Sequence, residues 1–173
     1  NTTGGANVAF GYRALEDNTT GSGNTSVGFL AGGDSTTSNQ NTFIGWVSGR
    51  ANTTGSLLTA IGGGSLSSNT TGYANVALGA DVLFYNTTGS YNTAAGTASL
   101  FNNTEGDYNS AFGDYSLLNN TTGDANSALG NRALYSNTTG NNNTAFGYRA
   151  GNSSTGDNNV FIGYKAGYNE TGS

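Results

Sequence analysis

The chain has no cysteine, proline, methionine or histidine, and only 9% of its 173 residues are charged. Without Cys there can be no disulfide or thiol chemistry, which leaves the redox compartment open. Without His or Cys, His-dependent triads, thiol nucleophiles and most zinc sites fall away, so no catalytic residue, metal site or cofactor is expected and the chain reads as non-enzymatic. Five Lys and Arg stand against ten Asp and Glu, for a net charge of −5. That balance argues against a nucleic-acid partner, because phosphate binding needs clustered cations. No apolar run approaches the roughly 20 residues of a membrane helix, so this segment is not expected to be membrane-embedded. Signal-peptide pattern and initiator Met are both missing, which makes a processed or excised piece of something longer the expectation. Disorder would call for few aromatics and high charge; aromatics reach 11% here, and a folded chain is expected.

What is present is a repeat. There are 29 Gly and 26 Asn, and they recur in columns. Glycine closes a short apolar motif at 11, 28, 45, 62, 79, 96, 113, 130, 147 and 163, spaced by 17 except for a last step of 16. A second column, from the string NTTG, runs 4, 21, 38, 55, 72, 89, 106, 123, 140, 156 and 172, and is Gly everywhere except Ser38. Both lose one residue between Gly147 and Gly156, as if one turn were shortened and the register then recovered. The consensus is N-T-A-Φ-G-x-x-A-L-x-x-N-T-T-G-x-x, with Φ Phe, Ile, Leu or Val.

Seventeen residues cannot hold the helix pair of a TPR or ankyrin unit. Two Gly per unit, with Asn and Thr throughout, also oppose helix. Short stretches such as NTAFG bounded by turn residues fit strands. The fold class expected is all-β: a parallel β-solenoid (β-roll) of about ten 17-residue coils, residues 1–173 forming one array. Coils about 4.8 Å apart would make a rod on the order of 50 Å long.

Each column has an expected role. The Gly after Φ would sit at a corner of positive φ, or where a neighbouring backbone leaves no room for Cβ. Asn at 7, 24, 41, 75, 92, 109, 126, 143 and 159, interrupted only by Leu58, would stack on itself with each amide bonding the next; Asn24, Asn75, Asn92, Asn109, Asn126 and Asn143 carry this ladder. In NTTG the Asn would cap its own backbone and the Gly take a left-handed position. The Φ column (Phe10, Val27, Ile44, Ile61, Leu78, Ala95, Phe112, Leu129, Phe146, Ile162) is read as the core. A second core column is Leu15, Leu66, Leu83, Leu100, Leu117 and Leu134, with Gly at 32, 49, 151 and 167. Small columns such as Ala77/Ala94 and Ala133/Ala150 would permit close approach. In TAFG, Ala and Φ are neighbours and must face opposite sides of a strand. Both are apolar, so one face would look into the coil and the other onto a partner chain, a side-by-side oligomer.

NTAFGYRA, NSALGNRALYSNTTG and NVFIGYKAG resemble the head repeats of trimeric autotransporter adhesins, the YadA-like family. Similar arrays occur in bacterial surface proteins and phage tail-fibre-like proteins. The resemblance spans all ten units. It implies a left-handed parallel β-roll that trimerises along its length, an extracellular, cell-surface or virion-fibre location, and attachment to host-surface protein or glycan. The family's typical head repeat is shorter, so the extra NTTG turn implies a wider or differently cornered coil. No heptad stalk or anchor lies within these residues.

Candidate ligand-binding residues are the aromatics after the corner Gly: Tyr12, Phe29 and Trp46 on three successive units, then Tyr148 and Tyr164. Stacked and exposed, they could hold a sugar ring or a protein partner; packing at a subunit edge is the plainer reading. Arg13, Arg132, Arg149 and Lys165 follow them and are expected to be solvated or to pair across subunits. Asp107, Asp124 and Asp157 share a column with Asn141. Asp107 and Asp124 could share an ion, but solvated turn residues are the stronger reading, because the calcium nonapeptide GGxGxD is absent. Thr19, Thr36, Thr53, Thr70, Thr87, Thr104, Thr121 and Thr138 form a ladder like those of ice-binding solenoids, but adjacent Thr should point to opposite sides, which halves the array. The many N-T-T sequons read as turn chemistry rather than glycan sites. The function expected is therefore an extracellular adhesin or receptor-binding and spacer segment. The alternatives are a ligand-free structural filament subunit and an ice-binding solenoid.

Overall fold

A computed structural model describes residues 1–169; Gly172, named above in its column, lies outside the described residues. Ten three-residue strands, one per repeat, form one sheet in sequence order with every neighbour parallel. They are β1 (Val8–Phe10), β2 (Thr25–Val27), β3 (Thr42–Ile44), β4 (Thr59–Ile61), β5 (Val76–Leu78), β6 (Thr93–Ala95), β7 (Ser110–Phe112), β8 (Ser127–Leu129), β9 (Thr144–Phe146) and β10 (Val160–Ile162). Register joins like to like: Ile44 lies beside Ile61 and Phe112 beside Leu129. The missing residue of the last repeat is absorbed outside the strands, since Phe146 still pairs with Ile162. The chain is a β-solenoid with coils of about 17 residues.

The rest of each coil is a chain of tight turns. Three columns place non-glycine residues in the left-handed region at φ between 48° and 60°, among them Leu66, Leu100, Tyr91, Ala125, Arg132 and Lys165. That conformation costs an L-residue about 1–2 kcal/mol, and it persists only where the surroundings over-determine it. Here the amides beyond the first coil are tied to a neighbouring coil: Leu66 N–H donates to the Val82 carbonyl at 3.0 Å and Lys165 N–H to that of Tyr148 at 2.9 Å.

Inside and outside are reversed from the sequence expectation for one column. The residues before Φ point inward: Ala60, Ala77, Ala94 and Ala111 are fully buried, packed with Leu66, Leu83, Leu100 and Leu117. The Φ residues point outward, with Phe146 54% and Ile162 67% exposed. The cause is the width of the coil. Between strand and Leu corner there is room for one small and one large side chain, and the Leu column supplies the large one. The exceptions obey the same limit. Phe43 and Phe161 stand in the Ala column, and Gly stands in the Leu column beside each of them. A Cβ on Gly32 would sit 2.7 Å from Phe43 Cδ2, and one on Gly151 would sit 2.5 Å from Phe161 Cδ2.

The two glycine columns are required for different reasons. The corner glycines have φ of 120° to 140° and press on the next coil; a Cβ on Gly45 would lie 2.5 Å from the Gly62 carbonyl oxygen. The NTTG glycines do not adopt the left-handed conformation expected of them. Space alone excludes a side chain there: a Cβ on Gly89 would meet the Asn86 amide oxygen and the Gly106 carbonyl oxygen, each at 2.6 Å.

Candidate functional site

Two asparagine ladders run through the coil wall, and they bond differently. In the column before the strand, each Oδ1 accepts a backbone N–H from the following coil, as from Asn92 to Asn75, Asn109 to Asn92 and Asn126 to Asn109 at 2.9–3.0 Å. Each Nδ2 donates to an NTTG-column carbonyl, as Asn24 does to Ser38 and Asn92 to Gly106, both at 2.8 Å. Amide-to-amide contact is secondary there, as between Asn143 and Asn126 at 3.0 Å. Leu58 keeps the column in phase through its own N–H, which donates to Asn41 Oδ1 at 2.9 Å.

The amide-to-amide stack is the NTTG asparagine column. Asn69, Asn86, Asn103 and Asn120 each donate to Oδ1 of the preceding asparagine at 2.8 Å and to the glycine carbonyl three residues on. These asparagines are fully buried, so a glycan on the folded chain would have to break the ladder. Where Ser replaces Asn, at Ser35 and Ser154, the stack stops, and the Oδ1 atoms of Asn18 and Asn137 are left buried without a partner.

The first Thr column is structural as well. Its hydroxyls donate to the next coil's Thr carbonyl, for example Thr70 to Thr87 at 3.0 Å and Thr87 to Thr104 at 2.9 Å. The carboxylates also bind neighbouring coils together. Asp107 Oδ1 accepts the Ser90 N–H at 2.6 Å, and Asp124 Oδ1 accepts the Asp107 N–H at 2.7 Å.

Two outward surfaces remain. The first is the outer sheet face, where the Φ row runs beside a row of Thr, Ser and Val over about 43 Å, nine steps of roughly 4.8 Å. A shallow groove of about 200 Å³ lies in it, lined by Phe112, Leu129 and Phe146 with Ser110, Ser127 and Thr144.

The second is the aromatic row after the corner glycines, which the structure divides rather than gathers. Tyr12 stacks on Phe29 at 5.3 Å and 12°, with Trp46 exposed one coil further on. Tyr148 stacks on Tyr164 at 5.6 Å and 11° near the other end. Gly63, Ala80, Thr97, Asp114 and Asn131 occupy the rungs between them. The following cations are engaged within the chain. Arg13 pairs with Glu16, whose hydrogen bond first and charge second hold the Arg13 guanidinium above its ordinary pKa. Arg132 lies between Tyr115 and Tyr135 at 5.7 and 5.6 Å, and Arg149 and Lys165 both pack on Tyr168.

Further aromatic contacts escape a reading of the corner column alone: Tyr91 stacks flat on Tyr108 at 5.0 Å and 2°, and Phe84 on Phe101 at 5.5 Å. Their signal in the sequence is the alignment of every column of the repeat, not only the one after the corner glycine.

No protein-family model, curated protein or solved structure matches the chain.

Proposed function

We propose that this chain is a non-catalytic, stiff segment of an extracellular or virion fibre that associates side by side with copies of itself and presents its aromatic corners for attachment. The observation that carries the reading is the exposed Φ row. Eight of its ten members, all but Val27 and Ala95, are large apolar side chains open to solvent, whereas monomeric soluble proteins rarely leave apolar patches beyond a few hundred Å². A partner that covers a straight row repeating once per coil must be as long, as straight and of the same period. A second copy of this chain meets all three conditions. The resemblance to YadA-like heads implies a parallel homotrimer, which is the assembly we propose. Stiffness follows from stacking, since each coil contacts only its neighbours yet all ten share one sheet.

The test is sedimentation velocity on the Leu78→Lys/Leu129→Lys variant beside the unaltered chain. The unaltered chain is expected to sediment as an oligomer, and the variant, whose changed side chains face away from the coil, as a folded monomer. An unaltered chain that stays monomeric at high concentration would sink the reading.

The ice-binding alternative is weaker because the first Thr column spends its hydroxyl protons on the next coil's carbonyls. Absence of thermal hysteresis would remove it.

A further inference from the structure

We propose that the corner formed by Arg132, Arg149 and Lys165 with Tyr148 and Tyr164 binds an acidic polysaccharide of the polyuronate type, its carboxylates meeting the cations and its pyranose rings lying on the tyrosines. The chain has five cations in all, and three of them occupy consecutive rungs of one column: Arg149 N–H donates to the carbonyl of Asn131, directly before Arg132, and Lys165 N–H to that of Tyr148, directly before Arg149. Like charges on neighbouring rungs about 4.8 Å apart repel one another. Three of the five cations of a chain whose net charge is −5 thus share one corner.

Among the described residues none of the three forms an ion pair; the one formed is Arg13 with Glu16, at the other end of the rod. Tyrosine rings hold the three cations instead: Arg132 between Tyr115 and Tyr135, Arg149 at 5.3 Å from Tyr148, and Lys165 at 5.3 Å from Tyr164. Arg149 Nη1 reaches the Tyr168 hydroxyl at 3.5 Å, while its Nε is buried with no acceptor. A guanidinium resting on a ring keeps donors free at its edge, in the fork geometry that carboxylates take up. Beside this row the stacked Tyr148 and Tyr164 are 42% and 72% exposed, which leaves part of each ring, with its hydroxyl rim, open to a sugar. Cations and aromatic faces at a common repeat suit a linear polymer that carries one carboxylate per sugar. Single-stranded nucleic acid would use the same two kinds of contact, and its binding is the competing outcome of the test.

The inference rests on reading the chain as a displayed fibre segment, and its test is independent of oligomer mass. Isothermal titration or affinity electrophoresis would compare sodium alginate, neutral dextran and single-stranded DNA at one ionic strength. The unaltered chain is expected to bind alginate in preference to both others, with binding weakening as salt is added. Arg132→Gln/Arg149→Gln/Lys165→Gln should bind about tenfold or more weakly, and Tyr148→Ala/Tyr164→Ala should also lose affinity. Arg13→Gln/Arg50→Gln, which removes cations elsewhere, should leave it unchanged. Circular dichroism melts check that each variant is folded; if the triple variant is not, the exposed Lys165→Gln alone takes its place with a smaller loss. No alginate binding, equal binding by the cation variants, an equal loss in the Arg13/Arg50 control, or tighter retention of DNA would each overturn the proposal. Failure here with an intact oligomer would leave the fibre reading standing.

Discussion

A single rung of this solenoid holds residues in conformations that their side chains would not choose. Ala125 is exposed yet sits at φ 54°. Replacing Ala by Gly ordinarily weakens a protein through unfolded-state entropy. At Ala125 the relief of a left-handed Cβ outweighs that loss, so Ala125→Gly should stabilise by about 0.5–1 kcal/mol; a lowered melting temperature would contradict the account. The serine break in the second ladder gives a coupled test. Ser35 and Ser38 stand where other coils have Asn and Gly, and the glycine's missing Cβ is what makes room for the asparagine oxygen three residues earlier. Ser35→Asn alone should destabilise by collision with the Ser38 side chain. Ser35→Asn with Ser38→Gly should stabilise by about 1–2 kcal/mol, since the new amide donates to the orphaned Asn18 Oδ1 and accepts from Asn52. Additive single effects in chemical denaturation would refute the coupling.

At the scale of the coil, the governing quantity is interior width. Much of the fold was legible because a repeat shows its features many times over: the 17-residue period, the parallel β-solenoid and the Leu core column all follow from residue pattern. The direction of the strand was not. Alternation says that Ala77 and Leu78 face opposite ways but not which is inside, and the usual preference for burying the larger group points the wrong way. Width decides, and width is set by left-handed turns at residues such as Leu66, Tyr91 and Arg132, whose side chains do not advertise that conformation. A signal was nonetheless present: Phe enters the Ala column at 43 and 161, and Gly enters the Leu column beside each. Complementary sizes mean touching columns. Accordingly, Phe43→Ala should cost about 3–4 kcal/mol through the cavity it leaves. Gly49→Leu should be at least as harmful by collision, and the double variant, which restores the common Ala–Leu arrangement, should recover much of the loss. Equilibrium unfolding of the three variants measures the coupling.

For the whole molecule, the outward Φ row is the property on which the proposed assembly rests. The corner aromatics were legible residue by residue but not as an arrangement: the sequence groups Tyr12, Phe29, Trp46, Tyr148 and Tyr164 by register, while five non-aromatic rungs separate them into two clusters. The chain has no cysteine, so a single introduced thiol reports on neighbours without interference. Parallel, in-register association predicts that Leu78→Cys chains cross-link to one another on oxidation, whereas a mixture of Leu78→Cys and Ile162→Cys chains yields no mixed product.

The central claim is that an apolar face pointing out of a narrow coil is covered by copies of the same chain. Sedimentation equilibrium of the unaltered chain tests it most directly. The account predicts a single species of three times the 17.4-kDa chain mass, unchanged by moderate salt because the interface is apolar. A monodisperse species of one chain mass across the same concentrations would contradict it.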